Sequence, residues 1–174
     1  KKGNMSSLNS PEEVLLAKKL ISLHKKLDMV RFAKTGGEAN AIAIRIARAF
    51  TGKDNVAICG YHGWHDWYLS ANLISKKNLE SHLLPGLSTA GVPKKLINTA
   101  FPFEYNDINK FYKICKKNNI GTVKMEVSRN ILPKNNFLKK IEKFCKKNNI
   151  ILIFDECTSG FRETFGGLHL KYKV

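Results

Sequence analysis

Cys115-Lys116-Lys117-Asn118-Asn119-Ile120 recurs thirty positions later as Cys145-Lys146-Lys147-Asn148-Asn149-Ile150. Each copy closes a run with helical spacing. Lys then sits at the negative end of the helix dipole, and Asn stands where a left-handed cap is needed. Each copy leads into a strand-like run, 121–126 and then 150–155. A repeat of about thirty residues is the length of a strand–helix–strand crossover, and two copies are too few for a solenoid. The echo therefore predicts parallel neighbouring strands ending in carboxylates, Glu126 and Asp155. In open α/β sheets, that carboxyl edge is where ligands bind.

Upstream, Ser10-Pro11-Glu12-Glu13 reads as a helix start: Ser as N-cap, Pro at the first helical position, acids in the first turn. Residues 1–10 read as polar and frayed. A short strand is expected at 29–33, then a turn at Thr35-Gly36-Gly37. A helix follows over 38–50, with Ala39, Ile42, Ala43, Ile46, Ala47 and Phe50 as its buried face and Gly52 as its stop. Val56-Ala57-Ile58-Cys59 is a buried-type strand. Gly60 to Asp66 reads as an aromatic loop. Residues 70–98 have weak patterning, with Pro85, Gly86, Gly91 and Pro93, and read as a long surface loop. The expectation is an α/β fold, a mostly parallel sheet sandwiched by helices. Strands fall near 29–33, 56–59, 122–126 and 150–155, and helices near 11–27, 38–50, 107–118 and 136–147.

The chain has 174 residues, 43% of them hydrophobic, enough for the core of one domain. This excludes a disordered chain, a collagen-like repeat and a disulfide miniprotein. No apolar run reaches the ~18 residues needed to span a bilayer, and no secretory leader is evident. The formal charge is +16, which raises a nucleic-acid reading. Arginine, the better base and phosphate reader, occurs only as Arg31, Arg45, Arg48, Arg129 and Arg162. The lysines come in scattered pairs, the look of a solvated surface, so a nucleic-acid partner is not expected. Cys59, Cys115, Cys145 and Cys157 form no C-x-x-C pair. Reduced thiols in a cytoplasmic protein are expected, without structural zinc.

Three constellations carry chemistry. Thr35-Gly36-Gly37-Glu38 lies between a strand-like run and a helix. Its glycines and free helix-start N–H groups suit a phosphate, against the plainer reading of a tight turn. Gly60-Tyr61-His62-Gly63-Trp64-His65-Asp66-Trp67-Tyr68 suggests a flat ligand stacked on a ring, against a packed aromatic corner. No further acid–His pattern completes a metal ligand set around His62 and His65, so no metal is expected. Ile151-Leu152-Ile153-Phe154-Asp155-Glu156-Cys157 delivers an acid to the end of a buried strand, against the plainer reading of a surface acid pair capping a turn. A desolvated carboxylate needs a partner, so something cationic should meet Asp155. Together the three describe a pocket for a flat, phosphorylated, cationic heterocycle. Pyridoxal 5′-phosphate fits, since a buried carboxylate keeps its ring nitrogen protonated.

The residues then resemble a known family. Phe32-Ala33-Lys34-Thr35-Gly36-Gly37-Glu38-Ala39-Asn40 resembles the F-x-x-S-G-[ST]-E-A-x stretch of class III pyridoxal-phosphate aminotransferases. Gly60-Tyr61-His62-Gly63-Trp64-His65-Asp66 resembles their G-x-Y-H-G-x-x-D loop. Ile153 to Arg162 resembles their I-x-D-E-V-x-T-G-F-R strand and turn. The motifs stand in family order and spacing over about residues 11–174, and most resemble the glutamate-1-semialdehyde aminomutase branch.

The resemblance implies that Gly36 and Gly37 hold the cofactor phosphate. It places Tyr61 on the pyridine ring with His62 beside it, and Asp155 on the ring nitrogen as the catalytic carboxylate. Cys157 takes the place of the Val packed on the other ring face. Glu126 matches the Glu of the family's E-P element near the cofactor. Gly37 replaces a Ser or Thr, and Val127 replaces the Pro after Glu126. The family's Schiff-base Lys belongs about twenty to thirty residues beyond Asp155; Lys171 and Lys173 come too soon. The chain is thus expected to be a central piece of the large domain of a longer enzyme. That enzyme would be an aminotransferase or aminomutase acting on a small-molecule amino donor and carbonyl acceptor, as a cytoplasmic homodimer without a membrane partner. Taken alone, the piece is expected to be inactive, to expose apolar surface around residues 60–93 and to associate. The alternatives are a non-catalytic cofactor- or phosphate-binding module and a nucleic-acid-binding domain.

Overall fold

A computed structural model describes residues 10–82, 88–128 and 130–174. Residues 1–9, Pro85, Gly86 and Arg129 lie outside the described residues. The chain divides into two units, Lys1–Phe32 and Ala33–Val174.

The first unit carries α1 (Pro11–Leu23). Ser10 Oγ accepts from Glu13 N at 3.3 Å and Ser10 N donates to the Glu13 carboxylate at 3.0 Å, a reciprocal capping box. The helix stops at Leu23, short of the expected 27, because His24-Lys25-Lys26 adds no apolar contact to continue it. The strand expected at 29–33 does not form. Residues 27–33 carry no ladder hydrogen bonds, and Met29 is 87% exposed. Apolar alternation makes a strand only where a neighbouring edge is present to pair with it.

The second unit is a parallel four-stranded sheet in the order β2-β1-β3-β4. The strands are β1 (Val56–Cys59), β2 (Ala100–Pro102), β3 (Thr122–Glu126) and β4 (Ile151–Asp155). β3 and β4 are parallel neighbours joined through α5 (Phe137–Lys147), as the echo required. Asn119 (φ 42°) and Asn149 (φ 53°), the same position in each copy, both adopt the left-handed conformation. Glu126 and Asp155 are register partners at the carboxyl edge.

β2 was not legible in the sequence. It is three residues long and ends in Pro102, tolerated because the strand is an edge. Within the stretch expected as a surface loop, residues 70–82 depart from it. The 3-10 turn Ser70–Asn72 is buried and Leu79 is fully buried. Asn72 Oδ1 accepts from Leu79 N at 2.9 Å, and Asn78 Nδ2 donates to Ala71 O at 2.7 Å. Side-chain-to-backbone bonds, which leave no periodic trace, build this segment.

Helices cover both faces. Ala57, Cys59, Val123 and Met125 pack with Phe111 of α4 (Ile108–Lys117) and Ile141 of α5. Val56 and Ile58 pack with Ile44 of α2 (Gly36–Thr51) and with Trp67 to Leu69 of the short α3 (Asp66–Leu69). The buried residues of α2 are Asn40, Ile44 and Ala47, whereas Ile46 and Phe50 of the expected face are 60% and 80% exposed. Apolar residues cover a wide arc of this helix, with Glu38, Arg45 and Arg48 on the remaining sector, and the sheet contacts decide which part of that arc faces inward. Among the described residues, exposed apolar side chains are not concentrated around 60–93: Trp64 and Ile74 are exposed there, and Phe161, Phe165, Ile131 and Leu132 are exposed elsewhere. The aromatic loop instead buries Trp67 and Tyr68, where each ring packs against its neighbours.

Candidate active site

The site forms where α2 begins and where β1, β3 and β4 end. Thr35 is the N-cap of α2, its Oγ1 accepting from Glu38 N at 3.2 Å. Gly36 and Gly37 therefore occupy the first helical turn rather than a separate turn. Their N–H groups belong to the set that has no acceptor within the helix, at the positive end of its dipole.

The aromatic loop closes onto this helix start. A Cβ on Gly37 would lie 2.8 Å from the His65 ring, and one on Gly36 would lie 3.2 Å from Cys157 Sγ. The Ser or Thr that the family pattern carries at 37 would require the His65 ring to shift. Asn40, one turn along α2, donates to His62 O at 3.2 Å and fixes the loop.

Asp155 is 7% exposed. Its Oδ2 lies 2.9 Å from His62 Nδ1 and 3.4 Å from Lys124 Nζ, and its Oδ1 accepts from Cys157 N at 3.0 Å. Burial pushes this carboxyl up, but the His62 hydrogen bond, the Lys124 ammonium and the Cys157 N–H outweigh it and hold it well below the usual carboxylate range. Burial pushes His62 down, with Lys124 adding to that, against the pull of Asp155. His62 Nε2 lies 3.2 Å from Cys59 O. Both neighbours are acceptors, so the neutral ring donates to one of them at a time.

Glu126 accepts from Tyr61 N at 3.2 Å through Oε2, and its Oε1 lies 3.5 Å from Thr158 Oγ1. It packs against Gly60, whose φ of 104° and lack of a side chain make room for the carboxylate. Behind it a cavity of about 180 Å³ is lined by Cys59, His82, Glu104 and Tyr105, among others.

The seven residues singled out from sequence thus fall in one neighbourhood of the fold. Gly36, Gly37 and Cys157 meet at the helix start; His62 and Asp155 pair; Glu126 anchors the backbone of Tyr61. Four contributors were not singled out as site residues: Asn40, His65, Gly63 and Lys124. The sequence signal for Lys124 was available. It is a cation in the middle of the strand 122–126, on the same face as Glu126.

Residues 3–169 match the family model described as aminotransferase class-III. The chain belongs to the class-III aminotransferases. Among class-III relatives, it is 33% identical over 181 residues to the 3-aminobutyryl-CoA aminotransferase of Cloacimonas acidaminovorans, covering 99% of this chain and 40% of that protein. It is 36% identical over 171 residues to the glutamate-1-semialdehyde 2,1-aminomutase of Ignicoccus hospitalis, covering 93% and 39%. The chain therefore spans about 40% of the length of these curated relatives. Its fold is similar to an omega-transaminase from Sphaerobacter thermophilus, with a TM-score of 0.81 at 26% identity over 99% of this chain and 41% of that one. Among the described residues, no helix is long and apolar enough to cross a membrane.

Proposed function

We propose that the full-length protein is a pyridoxal-phosphate-dependent aminotransferase or aminomutase and that this chain is its cofactor floor. The observation that carries the reading is the buried Asp155 carboxylate. It is held ionised at a strand end and faces the same small region as the side-chain-free start of α2. An anion at one end and a phosphate cradle at the other match the two charges of the cofactor.

The residues fit the group. Gly36 and Gly37 offer N–H groups to its phosphate. A Cβ at either position would meet Cys157 or His65. Asp155 holds a proton at the ring nitrogen, and His62 orients Asp155. Tyr61, tied through its N–H to Glu126, supplies an aromatic face. When bound, the cofactor supplies an electron sink that stabilises charge developing at the substrate carbon.

The relatives favour two closely linked outcomes: amino transfer between two molecules, as in the aminotransferase relative, or within one molecule, as in the aminomutase relatives. The reading includes a small-molecule amino donor and carbonyl acceptor. A homodimer in the cytoplasm follows from the family resemblance, and the four free thiols accord with a reducing compartment.

The test is absorbance of the full-length protein titrated with pyridoxal phosphate, followed by addition of glutamate-1-semialdehyde or of a β-amino acyl thioester. Saturable binding and a substrate-dependent change in the bound cofactor's spectrum are expected. Failure to bind at tens of micromolar would overturn the reading.

A further inference from the structure

The strand β1 stops at Cys59, and side chains take over the backbone just beyond it. Gly60 N donates to His82 Nδ1 at 3.1 Å, Gly60 O accepts from the Tyr68 hydroxyl at 2.8 Å, and Tyr61 N donates to Glu126 Oε2 at 3.2 Å. Glu126 and Tyr68 belong to the strand edge and the aromatic loop of the site. His82 comes from the weakly patterned stretch after them and has no part in the site as described above.

His82 is 8% exposed. Its backbone N donates to Leu79 O at 2.9 Å, and Leu79 is fully buried. The adjoining Ser81 Oγ donates to Glu104 Oε1, beyond β2, at 2.9 Å. Residues 79–82 therefore form a turn that returns from the core to the carboxyl edge of the sheet. A backbone N–H can only donate, so Nδ1 is the unprotonated nitrogen of the ring and Nε2 carries the hydrogen. Nε2 has no hydrogen bond among the described residues and lies 3.8 Å from Glu104 Oε1. The hydrogen bond that the buried ring does make is the one to Gly60.

We infer that His82 is a positioning residue of the cofactor floor: its neutral ring holds Gly60, and with it the aromatic face of Tyr61, and a proton added at Nδ1 releases them. This rests on the cofactor reading above. An imidazolium would turn an N–H at Nδ1 against the Gly60 N–H, donor against donor, and the bond would be lost. The groups facing the ring divide. Burial opposes the imidazolium most, Glu104 beyond β2 favours it and Lys110 of α4 opposes it, so the pKa of the held ring is lowered. Glu126 at the end of β3, Tyr105 and Cys59 line the same cavity. A released, solvated ring titrates near the ordinary value of about 6.5, above the held one, so the hold is complete above that value and is lost as pH falls below it.

The test separates the acceptor from its titration. Full-length wild type, His82→Asn and His82→Leu are titrated with pyridoxamine 5′-phosphate, which needs no covalent bond to the protein. Asn Oδ1 stands where Nδ1 does, can accept from Gly60 N and does not titrate. His82→Asn should match wild type in mildly alkaline buffer, and His82→Leu should bind more weakly than either. On acidification from about pH 7 to pH 5.5, wild-type affinity should fall relative to that of His82→Asn by up to about tenfold, groups common to both cancelling in the ratio. Nitrogen NMR of histidine-labelled wild type needs no variant: one ring should show an unprotonated Nδ1 coupled across a hydrogen bond to the Gly60 N–H. A ratio that does not change with pH, a folded His82→Leu that binds like wild type, or no coupling to Gly60 would overturn the inference and leave the cofactor reading standing. Absence of pyridoxamine phosphate binding by wild type would overturn both.

Discussion

Gly63 packs backbone to backbone against Gly37: a Cβ on Gly63 would come within 3.2 Å of the Gly37 Cα. Gly63 also has a φ of 92°, outside the range that side-chain-bearing residues favour. This contact joins the aromatic loop to the start of α2, so that His65 covers Gly37 while His62 reaches Asp155.

Gly63→Ala should therefore destabilise the protein by about 1–3 kcal/mol, combining backbone strain with displacement of the α2 start. Urea unfolding measures it. Gly52→Ala is the control: Gly52 is also left-handed, but a Cβ there meets nothing within 4 Å. It should show the strain cost alone and leave phosphate binding unchanged. If both variants bind phosphate like wild type, the loop does not shape the cradle.

Thiol labelling should separate the four cysteines. Cys157 is exposed, with its Sγ beside Gly36. Burial pushes Cys115 up to about 12, so about one molecule in ten thousand carries that thiolate at pH 8. Cys59 and Cys145 are buried and also pushed up. Mass spectrometry after brief iodoacetamide treatment should find the label on Cys157. Pyridoxal phosphate should slow that labelling, because ligand and reagent would compete for the same space.

Asp155 should govern the acid limb of stability. Its folded pKa is lowered, so below the ordinary carboxylate value of about 3.9 the unfolded chain binds the proton first. The stabilisation is complete above that value and is lost as pH falls towards the folded pKa. Asp155→Asn should make the melting temperature fall less steeply below pH 4. In the full-length enzyme, the same variant should slow the amino-transfer half-reaction about 100-fold, by removing the charge opposite the ring nitrogen. Stopped-flow absorbance reads this rate.

Glu156 should be a structural residue despite adjoining Asp155. Its carboxylate accepts from Leu168 N at 2.6 Å, His169 N at 3.1 Å and Ser159 Oγ at 3.0 Å, and it pairs with the His169 ring. It ties the turn after β4 to α6 (Leu168–Tyr172). Burial raises its pKa, and these bonds outweigh that and lower it. Glu156→Ala should cost about 1–3 kcal/mol by leaving buried donors unpaired. The melting temperature should drop, while cofactor affinity in the folded protein should change little.

Parallel pairing of β3 and β4 was legible because a strand–helix–strand unit repeats its own local signals: a capping Asn, lysines in the last helical turn and an acid at each strand end. The glycine start of α2, the aromatic loop and Asp155 were legible for a related reason. Helix starts, positive-φ turns and buried acids each demand particular residue types at fixed local spacing. Local chemistry by itself thus determined the β3–β4 step of the sheet order and the three motifs that meet at its carboxyl edge.

Tertiary structure alone decided the rest. Met29 to Ala33 has strand composition but no ladder, since a strand exists only with a neighbour. Ile46 and Phe50 face outward, because the apolar arc of α2 is wider than the part the sheet covers, which is the part carrying Ile44 and Ala47. Lys124 stands out in the sequence only as a cation within a strand; that its partner is Asp155, 3.4 Å away, is decided by the pairing of β4 with β3. Burial and pairing are properties of positions distant in the chain, and the energy of a charge depends on them more than on its neighbours in sequence.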